Sequence, residues 1–383
     1  MKYQSDDFYK FHPFQLESYL AKHEQNVTFN YSESGVHPLR LGDLLELADI
    51  EIEALGDTVM DYPEVNGKIE LRRKIAALYP EANEDNVLVT IGASEANHLV
   101  AATLLGDGDE VVTLQPSYLQ LSGNALNRGI KVNFVKLVEK DNWALDISDL
   151  NNKVTSSTRL ISIINPHNPT GHILTKEEID AVIAAADKVG AWIISDEVYA
   201  GTERDGRDPT PTLWNRYERV IAINSMSKAY GLPGLRIGWL IAPKAKIAEL
   251  TLRHEYATIS TTMLGNDIAN IALSDEVRPK LTQRARQLIN TGFDILMQEL
   301  EPHKNVYSVV PPEASAMCVV RYDLPIDSLT FADRLVTDKS TLVVPGSCFG
   351  LDQHFRCSSA LPEVYLKQGI AKINELVSEV LQE

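Results

Sequence analysis

The sequence is poor in several residue types whose abundance would indicate particular classes of protein. Among its 383 residues are three cysteines, Cys318, Cys348 and Cys357, with no CxxC or Cys/His spacing. This favours a reducing compartment and predicts neither a disulfide framework nor a metal site. No stretch approaches the ~18 consecutive apolar residues of a membrane span. The nine histidines form no HExxH or similar cluster, so we interpret them as structural or surface residues.

Basic residues are scarce relative to acidic ones. The chain has 36 Lys and Arg against 53 Asp and Glu, which gives a formal net charge of -17. Such a charge is repelled by nucleic acid and by anionic membranes, so we expect neither as a partner. Residues 1–7 lack the basic-then-apolar order of a signal peptide, and the sequence therefore predicts a cytoplasmic protein.

The chain is rich, by contrast, in alternating strand-like and helix-like segments. A capping box at 175–178 predicts a helix that ends at Gly190. This alternation predicts an α/β fold with a mainly parallel sheet and right-handed crossovers, and the length favours two or three domains. Apolar runs typical of strands occur at 87–91, 110–114, 131–137, 160–164, 192–195, 220–224 and 237–241.

One lysine lies in a segment suited to an unusual chemistry. Lys228 stands beside two hydroxyls, Ser225 and Ser227, and eight residues before Arg236. A lysine amine is a poor nucleophile at pH 7 unless nearby positive charge or desolvation lowers its pKa. The segment could therefore hold a phosphorylated aldehyde as a Schiff base. Taken alone, it could equally be a surface loop with an ordinary lysine.

Three other segments favour the first interpretation. The buried strand AWIISDEVY at 191–199 carries Asp196 at its carboxyl end, where it could keep a pyridine nitrogen protonated. The rigid turn NPHNPTG at 165–171 could direct Asn168 inward. Residues 92–94 precede a predicted helix at 95–105, and free amides at a helix N-terminus suit a phosphate dianion.

In this order the segments resemble those of the class I/II aminotransferases, the pyridoxal-phosphate (PLP) enzymes of fold type I, from about residue 62 to 360. The resemblance implies a large PLP-binding domain at 46–274 with a mainly parallel seven-stranded sheet. It also implies a smaller α+β domain built from an N-terminal arm at 1–45 and from 275–383. A long helical connection at about 246–270 and a homodimer are further expectations.

The resemblance also assigns roles to individual residues. Those implied in catalysis are Lys228 as the Schiff-base lysine, Asp196 as the partner of the pyridine nitrogen, and Tyr199. Those implied in cofactor binding are Ala93, Ser94, Ser225, Ser227 and Arg236 at the phosphate, Tyr118 stacked on the ring, Asn168 and Tyr199 at the phenolic oxygen, and Tyr62 from the neighbouring subunit. Those implied in substrate binding are Gly35, Asn168 and Arg356, the last at the α-carboxylate.

The implied reaction is transamination between an L-amino acid and a 2-oxo acid. An alternative is elimination, cyclisation or another reaction on an arginine-like amino acid. It comes from segments 32–37 and 121–123, which resemble the capreomycidine synthases, class I/II enzymes that close a ring on a hydroxylated arginine. Glu33 beside Gly35 could then favour a cationic side chain, or it could be a solvated loop residue. A regulator without turnover is disfavoured because Lys228 and Asp196 are both intact.

Overall fold

The computed structural model describes residues 11–383, and in them helices and strands alternate along most of the chain. Residues 1–10 of the predicted N-terminal arm lie outside this range. The helices are α1 Gln15–His23, α2 Leu41–Leu47, α3 Ile69–Ala76, α4 Gly92–Leu104, α5 Gln120–Leu126, α6 Ile147–Lys153, α7 Lys176–Val189, α8 Lys244–Ala257, α9 Met263–Ala272, α10 Arg278–Leu300, α11 Ser328–Lys339 and α12 Glu363–Val380.

Most strands form one large sheet. The strands are β1 Phe29–Asn30, β2 Val87–Thr90, β3 Glu110–Gln115, β4 Lys131–Val138, β5 Ala144–Leu145, β6 Thr158–Ile164, β7 Trp192–Asp196, β8 Val220–Ser225, β9 Gly238–Ile241, β10 Tyr307–Val309, β11 Met317–Tyr322, β12 Thr341–Leu342, β13 Val344–Pro345 and β14 His354–Ser358. The large sheet has the order β2-β9-β8-β7-β6-β3-β4-β5. Strands β8, β7, β6, β3 and β4 run parallel, while β9 is antiparallel to both its neighbours.

The predicted α/β class with a mainly parallel large sheet is confirmed, with one difference in strand number. The sheet has eight strands instead of seven, because the two residues of β5 pair antiparallel with the end of β4. A segment of two residues is too short to show a hydrophobic period. The helix predicted by the capping box is confirmed as well. Thr175 accepts a hydrogen bond from the Glu178 amide, and Gly190 ends α7 with a φ of +68°.

The expected long helical connection at 246–270 is two helices rather than one. Helices α8 and α9 are separated by residues 258–262, where Ile259 has a φ of +69°. A β-branched residue in that conformation interrupts a helix. Thr262 then begins α9 by accepting a hydrogen bond from the Gly265 amide.

Both faces of the large sheet are covered, since alternate strand residues point to opposite faces. On one face Trp239 packs with Leu71 of α3 and Ile268 of α9. On the other, Leu240 packs with Leu99 of α4 and Leu250 of α8. A covered sheet of this kind leaves only the strand ends open to a ligand.

A second, smaller sheet lies in the last third of the chain. Its order is β10-β11-β14-β13 and all its pairs are antiparallel. Helices α10, α11 and α12 pack with it around Phe331 and Phe355. The separate small sheet agrees with the predicted fold, whereas the domain boundaries at residues 45 and 274 stay a prediction. Within residues 11–383, no helix is both long and apolar enough to cross a membrane.

Candidate active site

A cavity of about 430 Å³ opens where four parallel strands of the large sheet end. Strands β3, β6, β7 and β8 all direct their carboxyl ends towards it, which is the expected ligand position in an open α/β sheet. The cavity brings together eleven residues predicted from the sequence: Ala93, Ser94, Tyr118, Asn168, Asp196, Tyr199, Ser225, Ser227, Lys228, Arg236 and Arg356.

The N-terminus of α4 forms one end of the cavity. Its first residues, Gly92, Ala93 and Ser94, follow β2 directly. A Cβ atom on Gly92 would lie 2.6 Å from Nη2 of Arg236, and one on Gly238 would lie 2.6 Å from the Ala93 nitrogen. Two glycines therefore allow β9, the helix N-terminus and a guanidinium to approach closely. Free amides beside a guanidinium form a cradle for a phosphate dianion.

Asp196 ends β7 as a buried carboxylate. Burial raises its pKa to about 6, although the Val198 amide, Asn97 and Lys228 act in the opposite direction. The Val198 nitrogen donates to its Oδ1 atom at 3.2 Å. A carboxylate that is ionised and buried needs a cationic group opposite it, and a protonated ring nitrogen would supply one.

Asn168 connects a tyrosine and an arginine above the strand ends. Its amide nitrogen donates to the Tyr199 hydroxyl at 3.1 Å, and Nη1 of Arg356 donates to its carbonyl oxygen at 3.1 Å. Nη2 of Arg356 donates to the Ser32 carbonyl. The Nε atom of Arg356 is buried without a hydrogen-bond partner among the described residues. This guanidinium is thus held in place with donor capacity left for a carboxylate.

Lys228 follows β8, and burial lowers the pKa of its amine. The positive charges of Arg356 and Arg236 act in the same direction, while Glu33 and Glu17 oppose them. No described residue hydrogen-bonds the amine. A Cβ atom on Gly35 would lie 3.0 Å from the Ser227 carbonyl, so the loop that carries Gly35 passes directly against the lysine. The predicted role of Gly35 in substrate binding stays a prediction.

Several cavity residues were not predicted from the sequence. Asn97 lies one helical turn after Ala93, a spacing that could have identified it. The Tyr118 hydroxyl donates to Oε1 of Glu17 on α1 at 3.1 Å, and the Phe14 ring packs edge-on against Tyr118 at 5.1 Å. Nothing in the sequence pattern places α1 over the cavity, because the pairing of residues 17 and 118 is non-local.

Two predicted site residues do not line this cavity: Gly35, whose loop passes against Lys228, and Tyr62. The Tyr62 side chain is 77% exposed, and its backbone amide donates to Asp61. The prediction assigns this tyrosine to the cavity of a neighbouring subunit, and that role stays a prediction. No group of three or more His, Cys, Asp or Glu residues suited to a metal occurs between residues 11 and 383.

The cavity as a whole fits a flat, phosphorylated pyridine aldehyde. The α4 cradle and Arg236 suit its phosphate, Asp196 its ring nitrogen, Asn168 and Tyr199 its phenolic oxygen, and Lys228 its aldehyde. The Tyr118 ring lines the same cavity. It is positioned by an edge-on contact with Phe14 and by the hydrogen bond from its hydroxyl to Glu17. Each functional group of such a cofactor therefore has a chemically matched side chain.

The chain matches a family of known enzymes. The family model described as aminotransferase class I and II covers residues 39–373. Capreomycidine synthase from Streptomyces vinaceus is 29% identical over 369 residues, 94% of this chain and 92% of that protein. A PLP-dependent aminotransferase structure from Streptococcus suis 89-1591 has a TM-score of 0.91 at 28% identity, covering 97% of this chain and 99% of that one.

A second solved structure carries a different activity in its description. The PLP-dependent cyclase OrfR has a TM-score of 0.87 at 26% identity, with 98% of this chain and 100% of that chain covered. Aminotransferase and cyclase therefore share this architecture, and the family match covers most of the chain. The chain belongs to the class I and II aminotransferase family of enzymes, as the sequence predicted.

Proposed function

We propose that the chain is a PLP-dependent aminotransferase that moves an amino group between an L-amino acid and a 2-oxo acid. The observation that supports this most is the convergence of Lys228, Asp196 and the α4 cradle on one cavity. When bound, the cofactor supplies an electron sink that stabilises negative charge at the substrate Cα. The rest of the proposed chemistry belongs to side chains of this chain.

Lys228 is the proposed acid/base group. Its amine would hold the cofactor aldehyde and, when free, would accept the proton from the substrate Cα and deliver it to the position that is reprotonated. The lowered pKa of Lys228 suits this task, because it increases the fraction of the amine that is neutral and able to accept a proton. Asp196 holds a proton on the ring nitrogen, and the Tyr199 hydroxyl hydrogen-bonds the phenolic oxygen.

Arg356 is the proposed anchor of the substrate. Its planar guanidinium can bind the α-carboxylate through two parallel hydrogen bonds, and Asn168 fixes its orientation. Gly35, whose missing side chain lets its loop pack against Lys228, is assigned to the wall of the substrate site. With the carboxylate and the amine both fixed, the Cα–H bond has a defined direction relative to the Lys228 amine.

Replacement of the lysine tests the proposal. We expect Lys228→Ala to lose the absorbance of the lysine-bound aldehyde and the adduct that borohydride traps in wild type. The matched control is Lys140→Ala, an exposed lysine outside the cavity, which should retain both. A reducible adduct that persists in Lys228→Ala would show that another lysine holds the cofactor.

A second candidate reaction is elimination or cyclisation on an arginine-like amino acid. It is supported by the similarity to capreomycidine synthase and to a PLP-dependent cyclase. Such a reaction needs a leaving group at the substrate Cβ, which transamination does not. Incubation with arginine and 3-hydroxyarginine, each with and without a 2-oxo acid, separates the two. Product that forms only with the oxo acid indicates transamination, whereas a cyclic product without it indicates cyclisation.

We further propose a homodimer in which Tyr62 reaches the partner's cavity. An exposed apolar surface supports it, formed by two segments that lie side by side. Residues 58–66 contact α8 and α9 through the hydrogen bonds of Thr251 with Asn66 and of Thr58 with Asp267. The exposed apolar residues of these segments are Val59, Met60, Tyr62, Leu252, Tyr256 and Ile259. Large exposed apolar patches are typical of protein interfaces.

A further inference from the structure

The cavity contains more carboxylates than the proposed chemistry uses. Its cationic lining residues are Lys228, Arg236 and Arg356, which the proposal assigns to the aldehyde, the phosphate and the α-carboxylate. Asp196 is assigned to the ring nitrogen. The carboxylates that remain are Glu17, Glu24 and Glu33, and no fourth cation lines the cavity among the described residues. The part of the cavity left for the substrate side chain is therefore negatively charged.

Two of the three glutamates, Glu17 and Glu33, affect the pKa values of Lys228 and Arg356. Burial lowers the pKa of both Arg356 and Lys228, and the charges of Glu17 and Glu33 act in the opposite direction on both. They reach the cavity from separate segments, Glu17 from α1 and Glu33 from the loop after β1. Glu24 lies at the far end of α1, where it is the C-cap residue.

Glu17 and Glu33 are both exposed residues, but hydrogen bonds and contacts hold the surroundings of each. Glu17 accepts the hydrogen bond of Tyr118, whose ring also contacts Phe14. Glu33 lies between Ser32, whose carbonyl accepts from Arg356, and Ser34, which hydrogen-bonds Tyr199. No described residue donates a hydrogen bond to the Glu33 carboxylate, which leaves it available to a ligand.

The cavity also extends beyond Glu33. A second cavity of about 250 Å³ shares Glu33, Ser227 and Pro233 with the first. It is lined largely by apolar groups, among them Val36, Leu361 and Tyr365. Apolar walls that end at a carboxylate suit an alkyl stem with a charged end.

We propose that Glu17 and Glu33 select amino acids whose side chain ends in a cation, a guanidinium or an ammonium. This inference rests on the proposed function, because it uses the roles given to Arg356 and Lys228. With Arg356 on the α-carboxylate, a cationic side chain pairs with the two glutamates through charge-assisted hydrogen bonds. An acidic side chain faces like charge and is rejected.

Two desamino ligands test the proposal without catalysis. The ligands are 5-guanidinopentanoate and 5-ureidopentanoate, which have nearly the same shape but differ in that the urea end is uncharged. Both carry the carboxylate for Arg356 and have no amine to react. We expect calorimetry on the cofactor-loaded wild type to show at least about tenfold tighter binding of the guanidino compound. Glu17→Gln and Glu33→Gln should each reduce that ratio about threefold or more, and the double variant should abolish it. Binding of the ureido compound should stay unchanged.

The control is Glu276→Gln, an exposed carboxylate outside the cavity that changes the net charge equally. Equal binding of the two ligands to wild type, or an equal loss in Glu276→Gln, overturns the proposal. Failure of the proposed function gives a different result, since then no amino acid changes the cofactor absorbance of wild type. The variants should keep the absorbance of the lysine-bound cofactor, which excludes misfolding as the cause of lost selectivity.

Discussion

At the scale of single residues, Asp196 illustrates how a binding site is built at the expense of stability. Its pKa of about 6 exceeds the ordinary value of 3.8, so ionisation of this buried carboxyl disfavours the folded state. The stability that the neutral form confers is complete below about pH 4 and is lost as pH rises through 6. The difference in pKa corresponds to about 3 kcal/mol above pH 6. Cofactor binding offsets this cost by placing a cation opposite the carboxylate.

We therefore expect Asp196→Asn to stabilise the cofactor-free protein. At pH 7 its free energy of unfolding should exceed that of wild type by up to about 3 kcal/mol, and the difference should vanish near pH 4. The same variant should bind the cofactor more weakly. Urea unfolding at both pH values and a cofactor titration measure the two effects.

Glu197 provides the matched control for that experiment. It is also buried, but it lines a separate cavity with Trp214 and accepts hydrogen bonds from Ser195 and the Leu213 amide. Glu197→Gln should leave the affinity for the cofactor unchanged. Equal stability of wild type and Asp196→Asn at pH 7 would contradict the account of the buried charge.

Arg356 permits a test that separates substrate anchoring from cofactor binding. A lysine in its place keeps the charge but loses the planar fork, so two parallel hydrogen bonds become one at most. We expect Arg356→Lys to raise the dissociation constant of amino acids about tenfold or more while the cofactor affinity stays within about twofold. A spectral titration measures both, and an unchanged amino acid affinity would exclude the anchoring role.

At the scale of secondary-structure elements, Glu95 fixes the cradle end of α4 to α8. It accepts hydrogen bonds from the Ile91 amide at 2.6 Å, from Nδ1 of His254 at 2.9 Å and from the Thr258 hydroxyl at 2.5 Å. His254 is fully buried. The N-terminal residues of α4, which could hold a phosphate, are thus positioned by the Glu95 carboxylate, which does not itself line the cavity.

We expect Glu95→Ala to destabilise the protein by about 3 kcal/mol, because it removes one partner of a buried polar cluster. It should also weaken binding of inorganic phosphate to the cofactor-free protein, since the N-terminus of α4 is no longer fixed. Thermal unfolding and a phosphate titration measure the effects. Glu249→Ala, an exposed carboxylate of α8, is the control and should change neither.

The elements also show how far the sequence determines the fold. Apart from the two-residue β5, the strands from β2 to β9 could be predicted because strands buried on both faces are continuous apolar runs. Helix α7 could be predicted because its caps are local. The interruption between α8 and α9 was missed, since Ile259 has a backbone conformation that no propensity indicates. The position of α1 was also missed, because Glu17 and Tyr118 are 101 residues apart and no local pattern relates them.

In the candidate site too, residues that belong to a local pattern could be predicted, and residues positioned by long-range packing could not. Asn168, Asp196 and Lys228 could be predicted because each follows an apolar strand, and parallel strands bring their carboxyl ends together. Glu95 was not identified, because its role depends on His254 in a helix that packs against it only in the folded chain. Long-range packing of helices is the part that residue types and spacing leave undetermined.

At the scale of the whole molecule, a buried ionic cluster connects the large sheet to the loop between β10 and β11 of the small one. His172 hydrogen-bonds Glu178 of α7 at 3.2 Å and Glu313 at 3.1 Å. The two carboxylates raise the pKa of His172 to about 9 against the effect of burial, and the histidine helps to lower the pKa of Glu178 to about 2. The same loop carries Asn168, so this cluster also supports the site.

The pKa values determine the pH range over which the cluster stabilises the protein. The contribution of His172 is complete below pH 6.5 and is lost as pH rises through 9, whereas that of Glu178 is complete above pH 4.5 and is lost as pH falls towards 2. We expect His172→Gln to lower the free energy of unfolding most between about pH 4.5 and 6.5, and least above pH 9. Urea unfolding at pH 5.5 and 9.5 measures the difference, and an equal loss at both values would contradict the charged pair.

The proposed dimer leads to the last prediction, which concerns two molecules at once. If Tyr62 contributes to the partner's cavity, a Lys228→Ala subunit and a Tyr62→Ala subunit each lack one part of a complete site. In a mixed dimer, one of the two cavities would combine the intact Lys228 of one subunit with the intact Tyr62 of the other. We expect mixtures of the two variants to regain up to about a quarter of wild-type activity, because half of the dimers are mixed and each has one complete site of two. Mixing Lys228→Ala with Lys228→Arg is the control and should restore none. If sedimentation at the concentration of the assay shows a monomer, and that monomer has full activity, the shared site is excluded.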